Sequence, residues 1–163
     1  MRILILFRNK LIKRNDVVKN FFRIFLPIIL GGIVGFIING FIDYTELVKP
    51  PLAPPKIFFP IAWSVIYLLM GISYYLYRKE FSDKKTIQLY YAQLIVNLLW
   101  SIIFFVFKLR LLAIAWILVL DILVIILIKR FFETKKISTY LNIPYLLWIL
   151  FATYLTIGIY ILN

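Results

Sequence analysis

The sequence predicts an all-α integral membrane protein folded as a single bundle of five transmembrane helices. Of its 163 residues, 64% are hydrophobic and 16% are charged, and the mean hydropathy is +0.97. A water-soluble domain of this size would need far more polar surface. Four long segments carry no charge and a fifth carries one carboxylate, and each is close to the ~20 residues that cross a bilayer. None shows the alternating polarity of a transmembrane β-barrel.

The chain is expected to divide into a basic N-terminal segment, 1–20, and one transmembrane domain, 21–163. A proline-rich loop, 43–56, connects the first two spans. The charged residues collect in the connections, and this sets the approximate bounds of the spans. The five predicted spans are 24–42, 57–77, 87–107, 111–128 and 137–162.

The distribution of charge predicts an orientation. Fifteen of the 19 Lys and Arg residues precede span 1 or lie between spans 2 and 3 or spans 4 and 5. By the positive-inside rule the N-terminal segment is cytoplasmic, and the proline-rich loop and the C-terminus are outside. The net charge of +12 does not indicate nucleic-acid binding, because no basic face with interleaved aromatic residues exists outside the spans.

Histidine and cysteine are both absent from the chain. The usual general base, the commonest metal ligand and the thiolate nucleophile are therefore missing. We expect no metal site and no cofactor.

The proline-rich loop contains the most distinctive segment of the chain. Residues 49–56 read K-P-P-L-A-P-P-K, and four prolines in eight residues exclude a helix or a central strand. Trp63, Tyr67 and Tyr74 follow along one side of span 2. We interpret the loop as the lid, and these aromatic residues as the first wall, of a site for a flat apolar ligand.

Span 3 carries two amides and two aromatic residues on one helical face. Gln93, Asn97, Trp100 and Phe104 follow one another at i, i+4, i+7 and i+11. Amides are costly in hydrocarbon, so these should face the interior of the bundle. They would either hydrogen-bond between helices, at about 0.6 kcal/mol each, or bind a carbonyl or carboxylate of a ligand.

Spans 4 and 5 contribute a carboxylate and an indole. Asp121 is the single carboxylate expected inside the membrane. It is either functional or a neutral hydrogen-bonding group that fixes helix register, and no second carboxylate is available for paired acid–base chemistry. On span 5, Trp148, Ala152 and Leu155 share one side, and the small Ala152 leaves room beside the indole.

Span 1 carries small residues at four-residue spacing, namely Gly31, Gly35 and Asn39. This pattern permits close contact between helices. The contact could lie within one chain or between two copies of it.

Four sequence blocks in the same order and spacing resemble the translocator protein family, also called tryptophan-rich sensory proteins or peripheral benzodiazepine receptors. Together they extend over roughly 44–155. The blocks are K-P-P-L-A-P-P-K followed by P-I-A-W-S-V-I-Y-L-L-M-G-I-S-Y-Y-L, then Y-A-Q-L-I-V-N-L-L-W-S-I-I-F-F, the region around Asp121, and P-Y-L-L-W-I-L-F-A-T-Y-L.

The resemblance implies a five-helix bundle, often dimeric, with a pocket between the helices beneath the first loop. Members bind porphyrins, isoquinoline carboxamide and benzodiazepine drugs and, in animals, cholesterol. The basic residue of the cholesterol motif is missing after Tyr160, so sterol binding is not carried over. Together with Tyr67 on span 2, the residues expected to bind ligand are Tyr44, Pro54, Trp63, Asn97, Trp100, Trp148 and Ala152.

The leading expectation is a membrane receptor or sensor for planar hydrophobic ligands, with protoporphyrin IX as the ligand. One alternative is a light-dependent enzyme that degrades porphyrin, in which Trp63 and Trp148 are the catalytic candidates. Another is a transporter of tetrapyrrole or lipid, in which Asp121 relays a proton. The rich Ile and Lys content indicates a bacterial member, located in the cell membrane as a homodimer.

Overall fold

A computed structural model describes the backbone of residues 2–163 and the side chains of residues 16–163. Throughout that part of the chain the regular structure is helical, and the predicted fold class is confirmed. Five of the helices are long and apolar enough to cross a membrane. They are α1 (Arg2–Ile38), α2 (Phe58–Glu80), α3 (Lys84–Ser101), α4 (Arg110–Thr134) and α5 (Lys136–Leu162).

The helices form a ring in the order α1, α2, α5, α4, α3, in which α3 also contacts α1. Each predicted span lies within one of these helices or overlaps it. Helix α1 already begins at Arg2, so span 1 and the basic segment before it share one helix. The cytoplasmic location of that segment stays a prediction.

Two glycines bring α1 and α2 together. Gly71 of α2 lies directly on the backbone of Ile24, where an added Cβ would be 2.7 Å from the carbonyl carbon. Gly31 of α1 lies against the ring of Tyr67, where a Cβ would be 2.5 Å from Cδ2. Gly35, in contrast, would meet nothing within 4 Å. Of the small residues noted on span 1, Gly31 therefore makes a close contact within the chain.

Helix α3 begins with a side-chain cap and ends in an irregular turn. Asp83 accepts hydrogen bonds from the backbone N–H of Thr86 (2.8 Å) and from its hydroxyl (2.7 Å). This satisfies one of the free donors at the helix start. At the other end, Ile102–Val106 form a π-helical turn, and Lys108 has a positive φ of 55°. The chain then enters α4 at Arg110.

The proline-rich loop is fastened to the end of α5. Asn163 accepts a hydrogen bond from the N–H of Val48 and donates one to its carbonyl, both at 3.0 Å. Tyr154 donates to the carbonyl of Pro51 at 2.7 Å. The loop thus lies across the same end of the bundle as the C-terminus and the α3–α4 connection. We call this end the loop side.

Candidate functional site

A cavity of about 710 Å³ lies on the loop side, between α1, α2 and the end of α3. Tyr44 and Lys56, near the two ends of the proline-rich loop, line it. Its walls are mostly apolar and aromatic, with a few polar groups among them. The aromatic residues are Tyr44, Phe59, Trp63, Tyr67, Trp100 and Phe105, and the polar residues are Asn39, Lys56, Ser64 and Ser101.

The cavity is open along one edge between α1 and α2. Gly32 and Gly35 of α1 and Ser64 of α2 line the cavity and are also exposed. Neither glycine has another atom within 4 Å of its Cβ position. The cleft runs along α1 from Ile28 to Ile38 and along α2 from Pro60 to Tyr67.

The aromatic wall is built from a stacked pair with a second indole behind it. Trp63 stacks on Tyr67 with ring centroids 5.3 Å apart and planes at 26°. Trp148 meets Trp63 edge-on, at 6.3 Å and 88°, and also contacts Phe59 at 6.0 Å. Trp63 therefore faces the cavity, while Trp148 supports it from the side of α5.

The amides of α3 belong to a buried hydrogen-bond network. Tyr67 donates to Asn97 Oδ1 (2.6 Å), and Asn97 Nδ2 donates to the hydroxyl of Tyr145 (3.1 Å). Tyr145 donates to Gln93 Oε1 (2.8 Å), and Gln93 Nε2 contacts the sulfur of Met70 at 3.4 Å. Gln93 and Asn97 have no exposed surface. The network ties α2, α3 and α5 together, and Tyr67 is its member at the cavity wall.

Four of the eight predicted ligand-binding residues line the cavity: Tyr44, Trp63, Tyr67 and Trp100. Their binding of a ligand stays a prediction, as it does for the other four.

The other four predicted residues lie outside the cavity lining. Pro54 accepts a hydrogen bond from Tyr44 at 2.8 Å and so fixes the loop. The amide of Asn97 is hydrogen-bonded to two tyrosines. Trp148 lies behind Trp63, and Ala152 is buried on α5. The cavity is lined by α1, α2, the two ends of the loop and the end of α3, whereas Trp148 and Ala152 belong to α5, which contributes no lining residue.

Several lining residues were not predicted as ligand contacts. Phe59 and Ser64 of α2 and Ser101 and Phe105 near the end of α3 all contribute to the walls. Ser64 could have been found, because it lies beside Trp63 and about one turn from Tyr67 on the same helix. Phe105 could not, since it lies in the π-helical turn, where α-helical spacing does not apply.

Asp121 lies outside the cavity, at the contact between α4 and α5. Its Oδ2 accepts a hydrogen bond from the hydroxyl of Thr153 at 2.8 Å, and both residues are buried. Thr153 also donates to the carbonyl of Ile149, one turn earlier on α5. This geometry agrees with the interpretation of Asp121 as a residue that fixes helix register.

The hydrogen bond between Tyr67 and Asn97 supports a testable prediction. Asn97→Leu removes the acceptor of a buried hydroxyl, so we expect a loss of about 1–2 kcal/mol in unfolding free energy. Adding Tyr67→Phe should cost less than the sum of the two single changes, because the unpaired hydroxyl is then gone. Unfolding by denaturing detergent measures all three variants. Strictly additive losses would contradict the pairing.

The fold and the comparisons with known proteins identify the class of the molecule. Five apolar helices of spanning length make it a multi-pass membrane protein. The sequence profile of the TspO/MBR family matches residues 23–162, and the chain belongs to that family. The resemblance noted in the sequence is thereby confirmed.

Curated relatives agree with this assignment. The chain is 38% identical over 122 residues to the tryptophan-rich protein TspO of Archaeoglobus fulgidus, covering 74% of this chain and 79% of the relative. It is 33% identical to the tryptophan-rich sensory protein of Cereibacter sphaeroides, over 68% of this chain and 70% of that one. It is 31% identical to the translocator protein homolog of Schizosaccharomyces pombe, over 85% and 88% of the two chains.

Proposed function

We propose that this chain is a membrane receptor or sensor that binds a planar hydrophobic ligand in the cavity beneath the proline-rich loop. Porphyrins are the preferred ligand class, and isoquinoline carboxamide or benzodiazepine-type drugs are further ligands. The observation that carries the proposal is an aromatic-walled cavity of about 710 Å³. This volume is within the usual range for small-molecule sites, which are mostly apolar with a few polar groups.

The polar groups at the cavity suit the chemistry of a porphyrin that carries carboxylates. Lys56, the last residue of the loop, lines the cavity and is exposed, so its ammonium can pair with a propionate that remains near water. Trp63 and Tyr67 offer stacked rings to the flat macrocycle. Protoporphyrin IX combines both requirements in one molecule.

Titration with protoporphyrin IX tests the proposal. For protein reconstituted in lipid nanodiscs, we expect a saturable shift of the porphyrin Soret band. Changing both Trp63 and Trp100 to alanine should weaken binding about tenfold or more, because two aromatic contacts at about 0.5–1.5 kcal/mol each are lost together with their apolar area.

Trp116 provides the matched control for this titration. Its indole donates to the carbonyl of Val96 at 2.9 Å, and it lies outside the lining of the cavity. Trp116→Phe should leave the affinity for protoporphyrin within about twofold. Equal affinity in the wild type and the double alanine variant would exclude this cavity as the site.

A second candidate function is light-dependent breakdown of the bound porphyrin. The observation that favours it is the position of Trp63, which lines the cavity with Trp148 at 6.3 Å behind it. Illuminated porphyrin converts dissolved O₂ into a reactive form, and the adjacent indole is electron-rich. Oxygen would be the oxidant: it would take one electron from the indole and become superoxide. The indole radical would take one electron from the macrocycle and be restored, and superoxide would combine with the macrocycle radical.

We also propose that the protein lies in a bacterial cell membrane with its N-terminus in the cytoplasm and its C-terminus outside. The proline-rich loop would then face the outside. The excess of basic residues in the α2–α3 and α4–α5 connections supports this orientation. The homodimer implied by the family resemblance stays a prediction.

A further inference from the structure

Arg110, the first residue of α4, is bound to the proline-rich loop. Its Nη2 lies 3.2 Å and 3.0 Å from the two carboxylate oxygens of Asp43. Lys108 also approaches Asp43, at 3.2 Å, but its side chain is 54% exposed, against 15% for Arg110 and 13% for Asp43. Arg110 is therefore the better shielded partner, and solvent screens this pair less.

The carboxyl group of Asp43 is charged under ordinary conditions. Burial alone would raise its pKa, but the hydrogen bonds from Lys108 and Arg110 outweigh burial and hold the pKa below its usual range. The ion pair with Arg110 is thus maintained at neutral pH.

The other side of the guanidinium holds the end of α3. Arg110 Nη1 donates to the carbonyl of Phe104 at 2.6 Å, and the guanidinium lies over the ring of Phe104 at 4.2 Å from its centroid. Phe104 belongs to the π-helical turn Ile102–Val106. One side chain thus connects the loop to that turn.

Phe104 in turn supports an indole of the cavity. Its ring stacks on Trp100 with centroids 5.4 Å apart and planes at 25°. Trp100 lines the cavity, and so does Tyr44, the residue that follows Asp43 in the loop. A continuous series of contacts therefore runs from the loop through Arg110 and Phe104 to the cavity wall.

We propose that Arg110 is a positioning residue that couples the order of the proline-rich loop to the orientation of Trp100. The effect of Arg110 on ligand affinity rests on the proposed function. The coupling between the loop and Trp100 does not depend on that function. A guanidinium is required, because its planar fork bonds to a carboxylate and a carbonyl simultaneously while its face stacks on a ring. A lysine ammonium at the same position can keep the charge but cannot make all three contacts.

Fluorine NMR of protein labelled with 5-fluorotryptophan tests the coupling without any ligand. The four tryptophan resonances are assigned by single Trp→Phe changes. Asp43→Asn changes no residue of the contact between Arg110 and Phe104 but removes the carboxylate that holds the guanidinium, so we expect Arg110 to move against Phe104 and the resonance of Trp100 to shift. Arg110→Lys should shift it as well. In both variants the backbone amides of residues 44–49 should exchange with deuterium about tenfold faster.

The opposite end of the bundle supplies the matched control. Lys135 and Glu80 form an ion pair there, and Glu80→Gln removes it while leaving the loop side intact. This variant should leave the Trp100 resonance unmoved. An unmoved Trp100 resonance in Asp43→Asn, or an equal shift in Glu80→Gln, would overturn the coupling.

The same variants show whether the coupling matters for binding. We expect Asp43→Asn and Arg110→Lys to weaken protoporphyrin IX binding about tenfold, the effect of one charge-assisted hydrogen bond. Unchanged affinity would overturn the role of Arg110 in the ligand site. Failure of the wild type to bind protoporphyrin would instead refute the proposed function. In that case the fluorine NMR and hydrogen-exchange results would still show whether Arg110 couples the loop to Trp100.

Discussion

Gly71→Ala is expected to lower the unfolding free energy by about 3 kcal/mol, at the upper end of the usual cost of overpacking. The added methyl group would overlap the carbonyl group of Ile24, 2.7 Å from its carbon. A backbone group cannot rotate away as a side chain can, so α1 and α2 must separate. Thermal unfolding in detergent micelles measures the loss.

Gly35→Ala is the control for this change. Gly35 lies on α1, and its Cβ position has no atom within 4 Å. Because alanine favours a helix over glycine, this variant should unfold no more easily than the wild type. If both variants lost the same stability, the contact of Gly71 with Ile24 would not be the cause of the loss.

Trp63→Phe is expected to slow the light-driven loss of the protoporphyrin Soret band about tenfold, if the chain degrades its ligand. Phenylalanine keeps an aromatic ring at the cavity wall, so binding should persist, but it lacks the easily oxidised indole. Trp148→Phe should have a smaller effect, because that indole lies behind Trp63 and outside the cavity lining. An absorbance time course in light and in darkness, in aerated buffer, measures the rates.

Two comparisons complete this experiment. Trp116 is not part of the cavity lining, so Trp116→Phe should bleach porphyrin at the wild-type rate. Porphyrin in empty nanodiscs gives the rate without protein. If porphyrin bleached at the same rate in empty nanodiscs, with the wild type and with every variant, the enzymatic alternative would be rejected. The proposed function would then be ligand binding alone.

The fold could be predicted from the sequence, because hydrocarbon imposes the same requirement on every span. A helix in the bilayer must satisfy its own backbone and must be long and apolar, and charged residues in the connections then mark its ends. The aromatic face of α2 was also predictable, since Trp63 and Tyr67 are one turn apart. The spacing shows that both side chains lie on the same face of α2. It does not show which neighbouring helix that face contacts.

The position of the cavity could not be predicted in the same way. It depends on how α1, α2 and the end of α3 pack, and such packing joins residues far apart in the sequence, as the contact of Gly71 with Ile24 does. The amide of Asn97 gave an ambiguous signal, because a buried amide bonds equally well to a ligand or to tyrosines. Only the approach of Tyr67 and Tyr145 from other helices shows that both its oxygen and its nitrogen are already hydrogen-bonded within the bundle.

The π-helical turn at Ile102–Val106 also restricts how the chain can vary in length. Such a turn holds an extra residue compared with the α-helical form. Each residue of an α-helix advances the direction of side chains by about 100°. Deleting a single residue from the turn would therefore redirect the side chains that follow it and separate Phe104 from Trp100 or from Arg110. Homologues that keep both roles must conserve the number of residues between Trp100 and Arg110, whatever those residues are.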